Sequence, residues 1–404
     1  MNRIASPQEK LWHKSFVVLF LMNLCQFISF HMQVATFSFF IKDLGGNDAV
    51  AGLASGMFSI AALATRPFAG RLFDRHSKKM TFFIGLAGML ALPLSYISIR
   101  IIALLLMLRL LHGVFWSMSS TAVNSEVVGI IPRKRFSEGM GYFGVTAALS
   151  MSVSPALGLS VMNRWGFTAM FLLAAGMSAA AIGLAFVYGV GKQAPPPAAA
   201  PSKSGLAAFV RSLFAKEALP ASIIIFFCLI PHGAIMTFIA LYARDNGLGD
   251  GGGFFMFMAA ATILMRVSTG KISDRNGEKS AVYASASCIG LSTVLLGLYP
   301  HPLAFYGAAV LYGMGFGMIT PAMQAMALRT APADKRGAAT STYLCAFDLG
   351  IGCGGILAGL LVDAFGSYAH MYLALCLTTI LAAAYYLFWG SKSPSAFRNC
   401  TPRP

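Results

Sequence analysis

Charge is what this chain has least of. Asp, Glu, Lys and Arg make up only 11% of its 404 residues, against roughly a quarter in soluble globular domains. That shortage excludes a water-soluble fold. The short alternating segments of a membrane β-barrel are missing as well. No Gly-x-x-x-x-Gly-Lys-[Ser/Thr] loop is present to bind ATP, and neither His-Glu-x-x-His nor Gly-x-Ser-x-Gly occurs, so the usual hydrolase chemistries have no seat and no cofactor is implied. The seven cysteines, from Cys25 to Cys400, show no Cys-x-x-Cys or Cys/His metal spacing. They read as small apolar fillers. No short N-terminal apolar segment is followed by a small-residue cleavage site, which makes 14–41 a retained first helix.

What is abundant is apolar sequence: 57% hydrophobic residues and a mean hydropathy of +0.70. A helix crossing a bilayer needs about 20 apolar residues, and about twelve such runs are present. Spans are expected at 14–41, 47–69, 80–98, 101–130, 137–161 and 166–190, then at 219–243, 251–270, 280–299, 302–328, 337–362 and 366–390. Between the two sets lies 191–218, which carries Pro195, Pro196, Pro197 and Pro201 followed by Lys203, Arg211 and Lys216. Proline favours extended backbone there. The predicted organisation is therefore a bundle at 1–190, a cytoplasmic linker at 191–218 and a second bundle at 219–404: an all-α membrane protein of twelve transmembrane helices.

The net charge of +16 would suggest nucleic acid in a soluble protein. Here its distribution matters more. Basic residues gather in alternate loops, such as Arg71, Arg75, Lys78 and Lys79, or Arg133, Lys134 and Arg135. The opposite loops hold Lys42, Arg100, Arg164 and Arg244. By the positive-inside rule both termini are cytoplasmic, and the basic excess reports topology, with no nucleic-acid partner.

One stretch occurs twice. Arg66, Gly70, Asp74 and Arg75 return as Arg266, Gly270, Asp274 and Arg275, each pair 200 residues apart. Gly113 and Gly313, Pro132 and Pro332, and Gly166 and Gly366 keep the same offset. A period this long is a half-protein duplication, and parallel halves build one large class of secondary transporter. The eleventh span carries Gly352, Gly355 and Gly359 on one face, where backbones can approach closely. Ser154, Pro155 and Gly158 suggest a bend in the fifth.

With these residues in view the chain resembles the major facilitator superfamily. The likeness rests on twelve spans, a central loop and the duplicated Gly-x-x-x-Asp-Arg hinge. Arg109, His112 and Gly113 are similar to the family's Arg-x-x-Gln-Gly signature, with His in place of Gln. Ser154-Pro155 stands where antiporters carry Gly-Pro. Asp348 and the glycines after it resemble a feature of bacterial efflux-type members, including metallophore exporters. The resemblance implies two pseudo-symmetric six-helix bundles, a multi-pass protein of the bacterial inner membrane, a monomer, and a gating hinge in which Asp74 and Asp274 reach a neighbouring helix N-terminus. Glu126 and Glu138 are candidate partners for Arg75.

Polar groups in hydrocarbon are functional candidates by default. Arg109 lies about 12 Å into the fourth span at 1.5 Å per residue, with His112 and Trp116 on its face. It either lines a cavity and attracts an anion or tunes a proton site, or caps helix carbonyls. Asp348 lies midway along the eleventh span, where the first half has Ala148. It is a proton carrier, a structural ion pair, or both. Asn23, Gln26, Phe30 and Gln33 form a polar stripe on the first span, facing a cavity or another helix. His31 lies off that stripe, and His232 follows Pro231 in the seventh span. Either histidine serves the site or hydrogen-bonds a neighbouring helix. Gln324 and Asn124 are substrate-facing or helix glue. The expected function is transport of a small organic molecule by alternating access, driven by protons and directed outward. The alternative is uptake of a small organic anion centred on Arg109.

Overall fold

A computed structural model describes residues 11–75, 78–132, 135–189, 214–332 and 335–392, with the side chains of 67–75, 78, 136, 137, 141, 148, 152, 267–278, 336, 337 and 389–392 outside the description. No strand occurs among the described residues. The helices are α1 (Lys14–Asp43), α2 (Asp48–Arg75), α3 (Lys78–Ser98), α4 (Ile102–Ile130), α5 (Phe136–Tyr188), α6 (Leu219–Asp245), α7 (Gly252–Leu298), α8 (Pro302–Thr330), α9 (Arg336–Phe365) and α10 (Tyr368–Lys392), with a 3₁₀ turn at Lys216–Ala218.

Two of these are too long for one crossing. A straight helix of 53 residues, the length of α5, would reach about 80 Å at 1.5 Å per residue, against a hydrocarbon core of about 30 Å. Gly166 resolves the conflict: its φ of 82° and ψ of 177° lie where only glycine is comfortable, and the chain breaks there into the fifth and sixth spans. The 47-residue α7 likewise holds the eighth and ninth. Its two apolar stretches, Gly252–Arg266 and Lys279–Leu298, flank the hinge that the sequence places between the spans 251–270 and 280–299. Among the described residues ten helical stretches are long and apolar enough to cross a membrane, the one at Glu138–Tyr188 containing the break at Gly166, and Gly252–Arg266 is a shorter apolar one.

Packing divides the chain into two units. The first comprises Met1–Gln33 with Ala61–Lys203, and the second Val34–Ile60 with Ser204–Pro404. In the first, Leu11, Phe16, Leu19 and Met22 pack with Phe82, Leu86, Val123, Val127 and Phe143 in one buried cluster. A hydroxyl chain ties three helices: Ser29 Oγ donates to the Ala174 carbonyl and lies 2.8 Å from Ser178 Oγ, which donates to the Met89 carbonyl. Lipid is as apolar as the helix faces, so such hydrogen bonds and close backbone approach are what select partners. Before α1, His13 Nδ1 accepts from the Phe16 amide, and its Nε2 lies 3.3 Å from the Ile130 carbonyl at the end of α4.

In the second unit α6 is buried along most of its length. The glycine face read from the sequence is used as expected: Gly52 of α2 meets the carbonyl of Gly355, and Gly359 meets that of Asp48. The end of this seam is fastened by charge. Asp363 of α9 accepts the amides of Asp48 and Ala49, both at 3.2 Å, at the α2 N-terminus. Asp48 in turn accepts from Tyr368 and from Lys42, each at 2.8 Å. A carboxylate here satisfies orphan amides and complements the helix dipole. The 3₁₀ turn is held by Thr330 and Lys335, which donate to Glu217, and by Thr342, which accepts the Ala215 amide.

Candidate functional site

Among the described residues Arg109 is the largest side chain buried almost completely, at 1% exposure. Burying a guanidinium costs heavily unless polar groups receive it, and the Tyr96 hydroxyl of α3 lies within electrostatic reach of Arg109. The same Tyr96 hydroxyl lies 3.1 Å from His112 Nδ1, so the three groups form one cluster between α3 and α4. Gly85 lets those helices meet, its Cα facing the backbone of Ser119. Phe171 of α5 packs on Tyr96 with ring centroids 5.4 Å apart.

Beside the cluster, aromatic rings of α1 face α4. Phe30 stacks on Trp116 at 4.5 Å and meets His112 edge-on at 6.0 Å. Phe27 meets the same indole at 4.8 Å. Such pairs add about 0.5–1.5 kcal/mol beyond their burial. His31 stacks on Phe27, and its Nδ1 lies 2.9 Å from the Phe27 carbonyl. This bond lies within its own helix, whereas one of the two readings of the sequence had His31 reach a neighbouring helix; the i−4 carbonyl is close to a ring pointing back along the turn.

The polar stripe of α1 faces helices of its own unit. Asn23 donates to Thr146 Oγ1 of α5, Gln26 donates to Ser119 Oγ of α4, and Gln33 donates to the Ser29 carbonyl. Asn124 donates to the Ser120 carbonyl. Glu126 accepts from Tyr188 at 2.8 Å, and Glu138 takes a two-pronged bond from Arg135. Gly70, Asp74, Arg75, Gly270, Asp274 and Arg275 have side-chain positions outside the described residues. Arg66 and Arg266 are half-buried.

The second unit holds a related pair. His232 Nδ1 lies 3.1 Å from the Tyr312 hydroxyl, and its ring stacks on Phe316 at 4.4 Å, 3° from parallel. Tyr312 and Phe316 stand 200 residues after His112 and Trp116, so the duplicated scaffold keeps a ring cluster at corresponding sequence positions while exchanging its residues. Asp348 is half-buried and Gln324 is exposed. Asp348 belongs to the row of α9 that continues into Gly352, which meets Ser59 of α2.

Sequence reading missed Tyr96. Its one signal was a phenol inside an apolar span, which must find a hydrogen-bond partner when buried; which partner was not legible.

A family model described as Major Facilitator Superfamily matches residues 19–351 and 285–399. The chain is 26% identical over 386 residues to the MFS-type transporter YhhS of Escherichia coli K12, covering 93% of this chain and 92% of that one. It is 24% identical over 344 residues to the staphylopine export protein of Staphylococcus aureus Mu50, covering 82% and 85%. Among solved structures, a bacterial homologue of the human lysosomal transporter Spinster superposes with a TM-score of 0.77 at 14% identity, over 99% of this chain and 100% of that one.

Proposed function

The chain belongs to the major facilitator superfamily, a family of transporters and not of enzymes, and from that premise we propose a proton-coupled exporter of a small organic molecule. The halves 1–190 and 219–404, joined by the linker 191–218, move as bodies in alternating access, in a bacterial inner membrane with both termini cytoplasmic and the protein monomeric. Polar groups come from both halves: Asn23, Gln26, His31, Arg109, His112 and Trp116 from the first, His232, Gln324 and Asp348 from the second. The duplicated hinge of Asp74, Arg75, Asp274 and Arg275 gates the cycle.

The observation that carries this reading is Asp348, a half-buried carboxylate within an apolar span and on a row of glycines. Ionisable groups inside a membrane span are rare, costly and mark substrate or proton pathways. Outward direction is supported by likeness to the staphylopine export protein, which makes staphylopine the first compound to test. In sealed vesicles, Asp348→Asn is expected to abolish uphill staphylopine or organic-acid movement driven by a proton gradient while leaving downhill exchange. Undiminished uphill movement in the variant would end the proton role.

A second reading is favoured by the buried guanidinium of Arg109: uptake of a small organic anion. It predicts that Arg109→Ala abolishes binding of anions alone. Equal loss for neutral compounds would remove it.

A further inference from the structure

We propose that Asp363 of α9 is a gating residue: by taking two backbone amides at the start of α2 it latches the outer ends of α1 and α2 onto the second half, and it lets go each time that side opens. Both the outward placement and the purpose of the latch rest on the function proposed above. Its bonds stand on geometry.

The repeat assigns 34–60 to the first half, yet Val34–Ile60 pack in one unit with Ser204–Pro404. In alternating access these helix ends have to part from α6, α9 and α10. Along the seam Gly52 and Gly56 of α2 face Gly355 and Ile356 of α9, and Thr237 Oγ1 of α6 lies 3.3 Å from Ser55 Oγ. Such contacts favour closure without fixing one arrangement. The groups that distinguish closed from open lie at the end of the seam.

A helix start offers amides that find no acceptor in their own helix. In α2 the Val50 amide stays local, donating to Asn47 Oδ1 at 3.0 Å. The next two are lent to another helix: the Asp48 amide donates to Oδ1 of Asp363 and the Ala49 amide to its Oδ2, each at 3.2 Å. The side chain of Asp48 is turned elsewhere, its Oδ1 accepting from Tyr368 of α10 and its Oδ2 from Lys42 of α1. One residue of α2 thus joins α1, α9 and α10. Asp48 is 7% exposed, whereas Asp363 is exposed. Water therefore reaches the latching carboxylate and can replace it on the two amides as the helices part, so the latch is reversible.

The test uses full-length protein in lipid nanodiscs without substrate. Residue-resolved hydrogen exchange reads the bonds: the Asp48 and Ala49 amides should be slow in the wild type and fast in Asp363→Ala, with the Val50 amide unchanged. Equal rates in both proteins overturn the proposal. Spin labels at Leu53→Cys and Leu360→Cys, two exposed positions on α2 and α9, read the seam by pulsed electron resonance once the seven native cysteines are replaced. The share of a longer distance should rise from wild type through Asp363→Asn to Asp363→Ala, because asparagine offers one accepting oxygen where the carboxylate uses two. For Asp363→Ala the closed-to-open ratio should fall about fivefold, the usual loss when a capping side chain is removed. Should that variant not fold, Asp363→Asn decides. An equal share of the longer distance in every protein, or one distance throughout, overturns the latch. Neither readout involves a substrate or a proton gradient, so failure here leaves the transport reading to the Asp348→Asn vesicle assay, and failure there leaves the bonds standing.

Discussion

Alanine at Gly52 drives a methyl group into the backbone of another helix. Built on the α2 backbone, the new Cβ falls well inside contact distance of the Gly355 carbonyl oxygen, 3.1 Å from its carbon and 3.3 Å from Gly359 Cα. The obstacles are backbone atoms, so no rotamer change relieves them. An ordinary carbon–oxygen contact lies at about 3.3–3.6 Å, so α2 and α9 must part by about 1 Å. A gap of that size forfeits a quarter to a half of each pairwise attraction along the seam. Overpacking of this kind costs about 1–3 kcal/mol. Gly176→Ala is the matched control: nothing lies within 4 Å of its new Cβ, and the substitution removes glycine's excess backbone freedom, worth about 0.5–1 kcal/mol in favour of the fold. Thermal unfolding of both variants in one detergent, followed by fluorescence, should show shifts of opposite sign. A Gly52→Ala protein as stable as the wild type, or two shifts of one sign, would refute the close-packed seam.

Removing the α2 cap by Asp363→Ala should cost about 1 kcal/mol, with Asp363→Asn in between; equal midpoints for all three proteins would show that the carboxylate does not hold those amides. Tyr242→Phe deletes a buried 2.7 Å bond to the Leu296 carbonyl and should lower stability by about 1 kcal/mol, read in the same assay. Glu138→Gln should leave the unfolding midpoint unchanged, because its pair with Arg135 is 40% and 42% exposed and water screens it; a clear loss would mean the pair is shielded.

Much of the molecule was legible in order. The apolar runs and the offset of 200 residues predict twelve crossings in two similar halves, since a bilayer demands apolar length and a duplication leaves its glycines and prolines in register. The face of Gly352, Gly355 and Gly359 predicts close helix contact, and Gly52 supplies the other side.

The sequence by itself determined where the chain crosses, how it repeats and which polar groups are dragged into hydrocarbon, because each of these follows from composition along a single helix. Only the tertiary structure decided who meets whom: Tyr96 beside His112, Tyr188 on Glu126, Asp363 at the start of α2. The reason is physical. A bilayer is as apolar as the faces it bathes, so a membrane helix carries little hydrophobic pattern to fix its rotation. Its neighbours, chosen by small residues and hydrogen bonds from distant parts of the chain, set that rotation instead.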